Sequence, residues 1–295
     1  MKSFVTSGSG TLDEPHFLAS DLYGTTTADE ASITIVGWEG PNDPHKPANW
    51  SFTRKWAIIM ATSFATFMVS FASSVYSAAT SYVQADFNVS ATISRLGISL
   101  YVLGFAFGPL VWGPASELYG KIRPLWAGYT LFCACQIPCA LAQNISTLLA
   151  FRFLAGLGGS SILAILGGMY VDFLLHPTER GISTAIFSLA SFSGPAAGPI
   201  IGNIVTVQLG WSWTAWITLI GGVFFGIIAY AVTPETSEGV ILRRKAQRLR
   251  KDTGNVGYRA RSEYEHAGIS TFILKYLTKP SRMLVREPIV SLITE

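Results

Sequence analysis

The chain has 295 residues, of which 49% are hydrophobic and only 13% charged, with a formal charge of +3 and a mean hydropathy of +0.39. An average soluble domain is about 25% charged. Residues 56–232 hold nine Asp, Glu, Lys or Arg in 177 positions, and the remaining charge lies in two polar flanks. That distribution excludes an ordinary globular enzyme and a nucleic-acid binder, and leaves a block whose solvent is the lipid bilayer.

Residues 1–55 read as a disordered cytosolic arm, rich in Gly, Ser, Thr, Asp and Pro without sustained periodicity. No apolar run of signal-peptide length opens the chain, so the first span is expected to act as an uncleaved anchor. Six apolar stretches follow at Trp56 to Ala78, Gly97 to Tyr119, Pro124 to Ala142, Leu148 to Tyr170, Ile182 to Thr206 and Trp213 to Val232. Each supplies the roughly 20 residues that a helix needs to cross about 30 Å of hydrocarbon. They are too long for barrel strands and lack a period of two. The expected fold is therefore an all-α integral membrane protein with six transmembrane helices.

After the second stretch comes Gly113-Pro-Ala-Ser-Glu117-Leu-Tyr-Gly120-Lys121-Ile-Arg123, read as a glycine-supported turn carrying one acid and two bases. Asp172, Glu179 and Arg180, after the fourth stretch, fall at the same membrane depth. These charges form either a gate that holds one conformation shut or an ordinary solvated turn. The third stretch carries Cys133, Cys135 and Cys139, read as small packing residues, and the four histidines are scattered, so no metal site is expected. Within the fourth stretch Arg152 is the charge set deepest in any span, where a cation is costly. It is either functional or snorkels to the headgroups.

The fifth stretch contains Gly194-Pro195-Ala-Ala-Gly198-Pro199-Ile-Ile-Gly202. Glycines four apart let a neighbouring helix approach, and prolines loosen the hydrogen-bond ladder, so a bending, close-packed helix is expected. Gly104 and Gly108, and Gly222 and Gly226, repeat the small-residue spacing. Residues 233–287 form a basic loop in which Val240 to Lys251 has six bases and no acid. That segment lies either on the anionic inner leaflet or in solvent as a linker helix.

Orientation follows from positive charge, which collects on short cytosolic connections. Arg54 and Lys55, Lys121 and Arg123, Arg180 and the twelve bases after the sixth stretch share one side. The opposite connections hold Arg95 and two glycosylation candidates, Asn88-Val-Ser and Asn144-Ile-Ser. Both termini are expected in the cytosol. No nucleophile elbow, phosphate loop or ligand cluster appears in the spans, so an enzyme is not expected.

The pattern Gly113, Glu117, Gly120, Lys121 and Arg123 resembles the loop signature between helices 2 and 3 of the major facilitator superfamily. Arg152-Phe-Leu-Ala-Gly156-Leu-Gly158 resembles its helix 4 motif, and the Gly-Pro repeat resembles the helix 5 motif of its drug:proton antiporters. Asn49-Trp50-Ser, Gly210-Trp-Ser-Trp213 and Pro234-Glu-Thr are similar to fungal multidrug and polyamine-type transporters. The resemblance implies the N-terminal bundle of that fold, with two three-helix repeats, though no residue-level repeat is visible. It also implies alternating-access efflux of a small drug-like, toxin-like or polyamine-like molecule, driven by a proton gradient without cofactors, at the plasma membrane. By the same resemblance Arg152 serves proton coupling, Glu117, Lys121, Arg123 and Asp172 gate the cytosolic side, and Gly194, Pro195, Gly198, Pro199 and Gly202 govern bending.

The sequence departs from the family pattern at Ile122, where a base is usual, and at Glu117, which replaces Asp. Residues 288–295 read as the start of a seventh helix cut short. The chain thus reads as half a transporter, working as a homodimer or with a second half-unit, or belonging to a full protein longer than this chain. The alternative is a transport-inactive remnant or a membrane adaptor.

Overall fold

The computed structural model describes residues 34–40, 43–254, 257–260 and 263. The first apolar stretch forms α1 (Phe52–Val75), a 3-10 turn (Tyr76–Ala79) and the short α2 (Thr80–Asp86). The others form α3 (Ala91–Tyr119), α4 (Ile122–Ala140), α5 (Ile145–Phe173), α6 (Pro177–Leu209) and α7 (Trp213–Val232). Most helices outrun the apolar stretches, and two of them, α3 and α5, begin at capped polar ends. Ser90 Oγ accepts the Ile93 N–H at 3.4 Å and Asn144 Oδ1 the Thr147 N–H at 2.8 Å, satisfying donors that the helix cannot. Pro177 opens α6 where its missing N–H costs nothing.

Among the described residues, five helices are long and apolar enough to cross a membrane, the first of them running Phe52–Asp86. The sixth, α4, has 19 residues and is diluted by Arg123, Pro124, Gln136 and Pro138. Inside the apolar helices, several hydroxyls are satisfied locally: Thr62, Thr66 and Thr218 each donate to the carbonyl four residues back, at 2.7–2.8 Å.

α1 and α5 form the centre of the bundle, with 72% and 56% of their most apolar windows buried, against 22% for α3 and 17% for α6. Helix α1 packs on α6 and α7, helix α5 packs on α3 and α4, and α4 meets α7. Exchanging α1, α3 and α4 for α5, α6 and α7 reproduces that set of partners. A repeat of two three-helix units, not visible in the residues, is thus present in the packing, as in inverted-repeat membrane folds.

The expectation of an unstructured arm does not hold for its described part, and the all-α expectation gains a small exception. Thr34–Ile35 (β1) pairs in parallel with Tyr258–Arg259 (β2). Behind this pair runs α8 (Glu238–Thr253), whose Leu242, Ala246 and Leu249 lie on one face at helical spacing. Val36 and Ala260 bury Ala246 completely. The apolar face of α8 is therefore covered by the arm, which departs from both the leaflet-lying and the solvated readings. Lys245 Nζ lies 2.9 Å from Glu39 Oε1 and 3.8 Å from Asp43 Oδ2, and the Trp38 indole donates to Glu238. Residues 288–295, read as the start of a seventh helix, lie outside the described residues.

Candidate functional site

The turn between α3 and α4 is tighter than the sequence suggests. Gly113 lies inside α3, where a Cβ would meet nothing within 4 Å, so it does not form the turn. Only Gly120, with φ of +87°, breaks the chain direction. A side chain there would be strained and would approach Glu235 Oε2 at 2.8 Å and Val240 Cγ2 at 3.0 Å. Lys121 follows as the N-cap residue of α4, and its ammonium reaches Asp172 Oδ2 at 2.6 Å and the Gly168 carbonyl at 2.7 Å. The pair is partly screened, with side-chain exposures of 20% and 26%, and it ties the start of α4 to the last turn of α5.

Glu235, which the sequence offers only as a residue after the sixth span, completes this cluster. Its Oε1 accepts the backbone N–H groups of Lys121, Thr236 and Ser237 at 3.1–3.2 Å. The carboxylate thus joins the entry to α8 to the α3–α4 turn. An acid directly after Pro234 at a span end was the available signal. Of the other expected gate residues, Glu117 and Arg123 are exposed on either side of the turn. Arg180 does not join the ion pair: its Nε donates to the Leu174 carbonyl at 2.6 Å. There it satisfies the C-terminal carbonyls of α5, a favourable place for a cation.

Arg152 does not snorkel. It is 4% exposed, its Nη1 donates to the Ala72 carbonyl of α1 at 3.1 Å, and its guanidinium carbon lies 4.0 Å from the Tyr76 ring centroid. The helix 4 glycines explain how α5 becomes so enclosed. A Cβ on Gly156 would press on the Tyr101 backbone of α3, and one on Gly158 would stand 2.7 Å from Gly128 O and Phe132 N of α4. Gly104 returns the contact from α3, against Phe153 O and Leu157 N of α5.

On α6, Gly194, Gly198 and Gly202 are buried on one face while Pro195 and Pro199 are exposed on the other. A Cβ at Gly194 would reach Phe71 N at 2.7 Å, one at Gly198 Val75 N at 2.8 Å, and one at Gly202 Val75 O at 2.6 Å. The ridge therefore lies against α1, and α6 remains a continuous helix of 33 residues through both prolines. The prolines remove two N–H donors from the ladder without breaking it.

The outer faces of α3 and α6 carry large exposed apolar side chains, including Phe107 at 50%, Leu189 at 70% and Phe192 at 78%. Asn88, with φ of +50°, and Asn144, the cap of α5, are exposed at the end of the bundle opposite the Lys121–Asp172 pair.

Apolar helices of spanning length, glycine-lined crossings and an ion-paired turn define a polytopic integral membrane protein. The family model for the Major Facilitator Superfamily matches residues 62–293, and the chain belongs to that superfamily, whose members are transporters and not enzymes. It is 48% identical over 263 residues to the citrinin biosynthesis cluster MFS transporter mrr1 of Monascus ruber, covering 89% of this chain and 52% of that protein. It is 38% identical to the efflux pump radE of Floropilus chiversii, covering 88% and 48%. Identity to the cercosporin MFS transporter CTB4 of Cercospora nicotianae is 35%, covering 99% and 58%. The chain spans about half the length of the curated relatives it matches.

Proposed function

We propose that the described helices are the N-terminal six-helix bundle of an efflux transporter that moves small organic secondary metabolites by alternating access. The observation that carries this reading is the cluster in which Lys121 bonds Asp172 while Glu235 holds the Lys121 backbone. It joins three segments at one membrane face through contacts that solvent competes for, so the closed arrangement is stable but breakable. The proposed substrates are of the kind for which the relatives are named, citrinin and cercosporin. Transport is coupled to the proton gradient, with Arg152 the coupling candidate.

The apolar faces of α3 and α6 are proposed to meet a second bundle, supplied by further chain or by a second copy. The protein is placed in the plasma membrane with both termini cytosolic and with Asn88 and Asn144 as outer glycosylation sites. The test is reconstitution in liposomes loaded with citrinin, with and without an imposed pH gradient. Gradient-dependent release above that of loaded, protein-free liposomes is expected. No release under either condition overturns transport by this chain and favours the inactive or adaptor reading.

A further inference from the structure

The first span is two helices joined by a tight turn. At Val75 the α-helix gives way to a 3-10 turn over Tyr76–Ala79 before α2 resumes at Thr80. In the last turn of α1, just before this junction, Ala72 O accepts Arg152 Nη1 from α5.

Arg152 also holds the residue that begins the turn. Its guanidinium lies over the Tyr76 ring, and the Tyr76 hydroxyl donates to Ser94 O of α3 at 3.2 Å. Ser94 Oγ in turn donates to Thr80 O at the start of α2 at 2.6 Å. The ring fits because residue 97 is glycine: a Cβ there would stand 2.6 Å from Tyr76 Cε1. Arg152 is thus linked to both pieces of the first span and to α3.

The arrangement is not a buried ion pair. The four acids of residues 56–232 are Asp86, Glu117, Asp172 and Glu179, and each stands at or near a helix end. One of them, Asp86, accepts the Trp211 indole at 2.6 Å. Among the described residues Arg152 Nε has no hydrogen-bond partner. A carbonyl and an aromatic face therefore carry this cation, both located at the junction of the first span.

We propose that Arg152 is a positioning residue that latches this junction, so that Tyr76–Asp86 moves as one body with the start of α3. This rests on the alternating-access reading, in which the piece bearing α2 lies at the outer face. Opening that face requires the Tyr76 ring to leave the guanidinium and the Arg152–Ala72 hydrogen bond to break. The role differs from proton carriage, because it acts through a backbone carbonyl and a ring.

The test is amide hydrogen exchange of the full chain in lipid nanodiscs, without substrate, for Arg152→Gln, Tyr76→Leu and Tyr76→Phe. Arg152→Gln and Tyr76→Leu are expected to accelerate exchange at residues 77–86 by about tenfold or more, with residues 57–70 unchanged. Tyr76→Phe keeps the ring under the cation and is expected to restore most of the protection lost in Tyr76→Leu. Unchanged exchange at 77–86 in Tyr76→Leu, or an equal rise along all of α1, overturns the latch. If Arg152→Gln fails to fold, the two Tyr76 variants decide alone. Exchange is read without transport, so the latch stands or falls even for a chain that moves no citrinin.

Discussion

Gly156→Ala probes how closely α3 and α5 must approach. The added methyl would lie against Tyr101 O, with Tyr101 C at 2.9 Å and Tyr101 Cα at 3.1 Å. These are backbone atoms that cannot rotate aside, so the two helices must separate or the loop ends must strain. Overpacking of this kind costs about 1–3 kcal/mol. Gly167 on the same helix has nothing within 4 Å of its built Cβ, so Gly167→Ala adds the same methyl without the collision. Whatever alanine contributes to helix preference cancels between the two. The difference isolates the steric cost, about 2 kcal/mol or roughly a 30-fold change in the unfolding equilibrium. Denaturing-detergent titration with a thiol-reactive dye reads this directly, since Cys135 and Cys139 are buried in α4 and Cys133 is half-buried. Adding Gly104→Ala, on the facing side of the crossing, is expected to cost less than its separate effect, because the helices have already parted. Equal transition midpoints for Gly156→Ala and Gly167→Ala would refute the close-approach argument.

Reversing one charge, Lys121→Asp or Asp172→Lys, should destabilise the bundle by about 1–3 kcal/mol, as loss of a partly buried charge-assisted bond does. The double reversal should recover part of it in the same titration, whereas no recovery would deny a direct pair. The Asp43 carboxyl is held below its usual value of 3.8 by the N–H groups of Glu39 and then His45, with a smaller contribution from Lys245. A depressed acid stabilises the folded arm fully above its unfolded value, and the contribution disappears as pH falls through the folded one. A dye on Ile35→Cys should therefore report arm release only below about pH 4, and Asp43→Asn should release it at neutral pH. Cys133 lines a lateral groove with Trp126, Tyr129 and Tyr230. A membrane-permeant maleimide should label it well before Cys135 or Cys139, and equal labelling would contradict their burial.

Sequence alone determined the class and most of the elements, because crossing a bilayer leaves the backbone few solutions. Lack of charge located the helices, and positive charge assigned one side to the Lys121 and Arg180 turns. The cluster of Lys121 with Asp172 was legible as charges at equal depth. Glycine spacing on α6 announced a close crossing, although the partner helix was not readable. Helix ends were less legible, since Ser90 and Pro177 extend α3 and α6 beyond the hydrocarbon-length stretch.

Tertiary structure alone decided where Arg152 points. A cation four residues from the end of its apolar stretch has two inexpensive fates, and the choice between them depended on the Ala72 carbonyl of α1 and on the space left by Gly97. It also decided the fate of α8, whose apolar stripe suits a leaflet or a protein surface equally well until Val36 and Ala260 are seen to cover it. The two-unit repeat is the clearest case. Equivalent crossings are built from unlike residues, with Gly194, Gly198 and Gly202 against α1 and Gly104 with Gly156 between α3 and α5. Helix packing requires only that some small residue sit at each point of contact, so the symmetry is preserved in the partners of each helix while the residues that make the contacts differ.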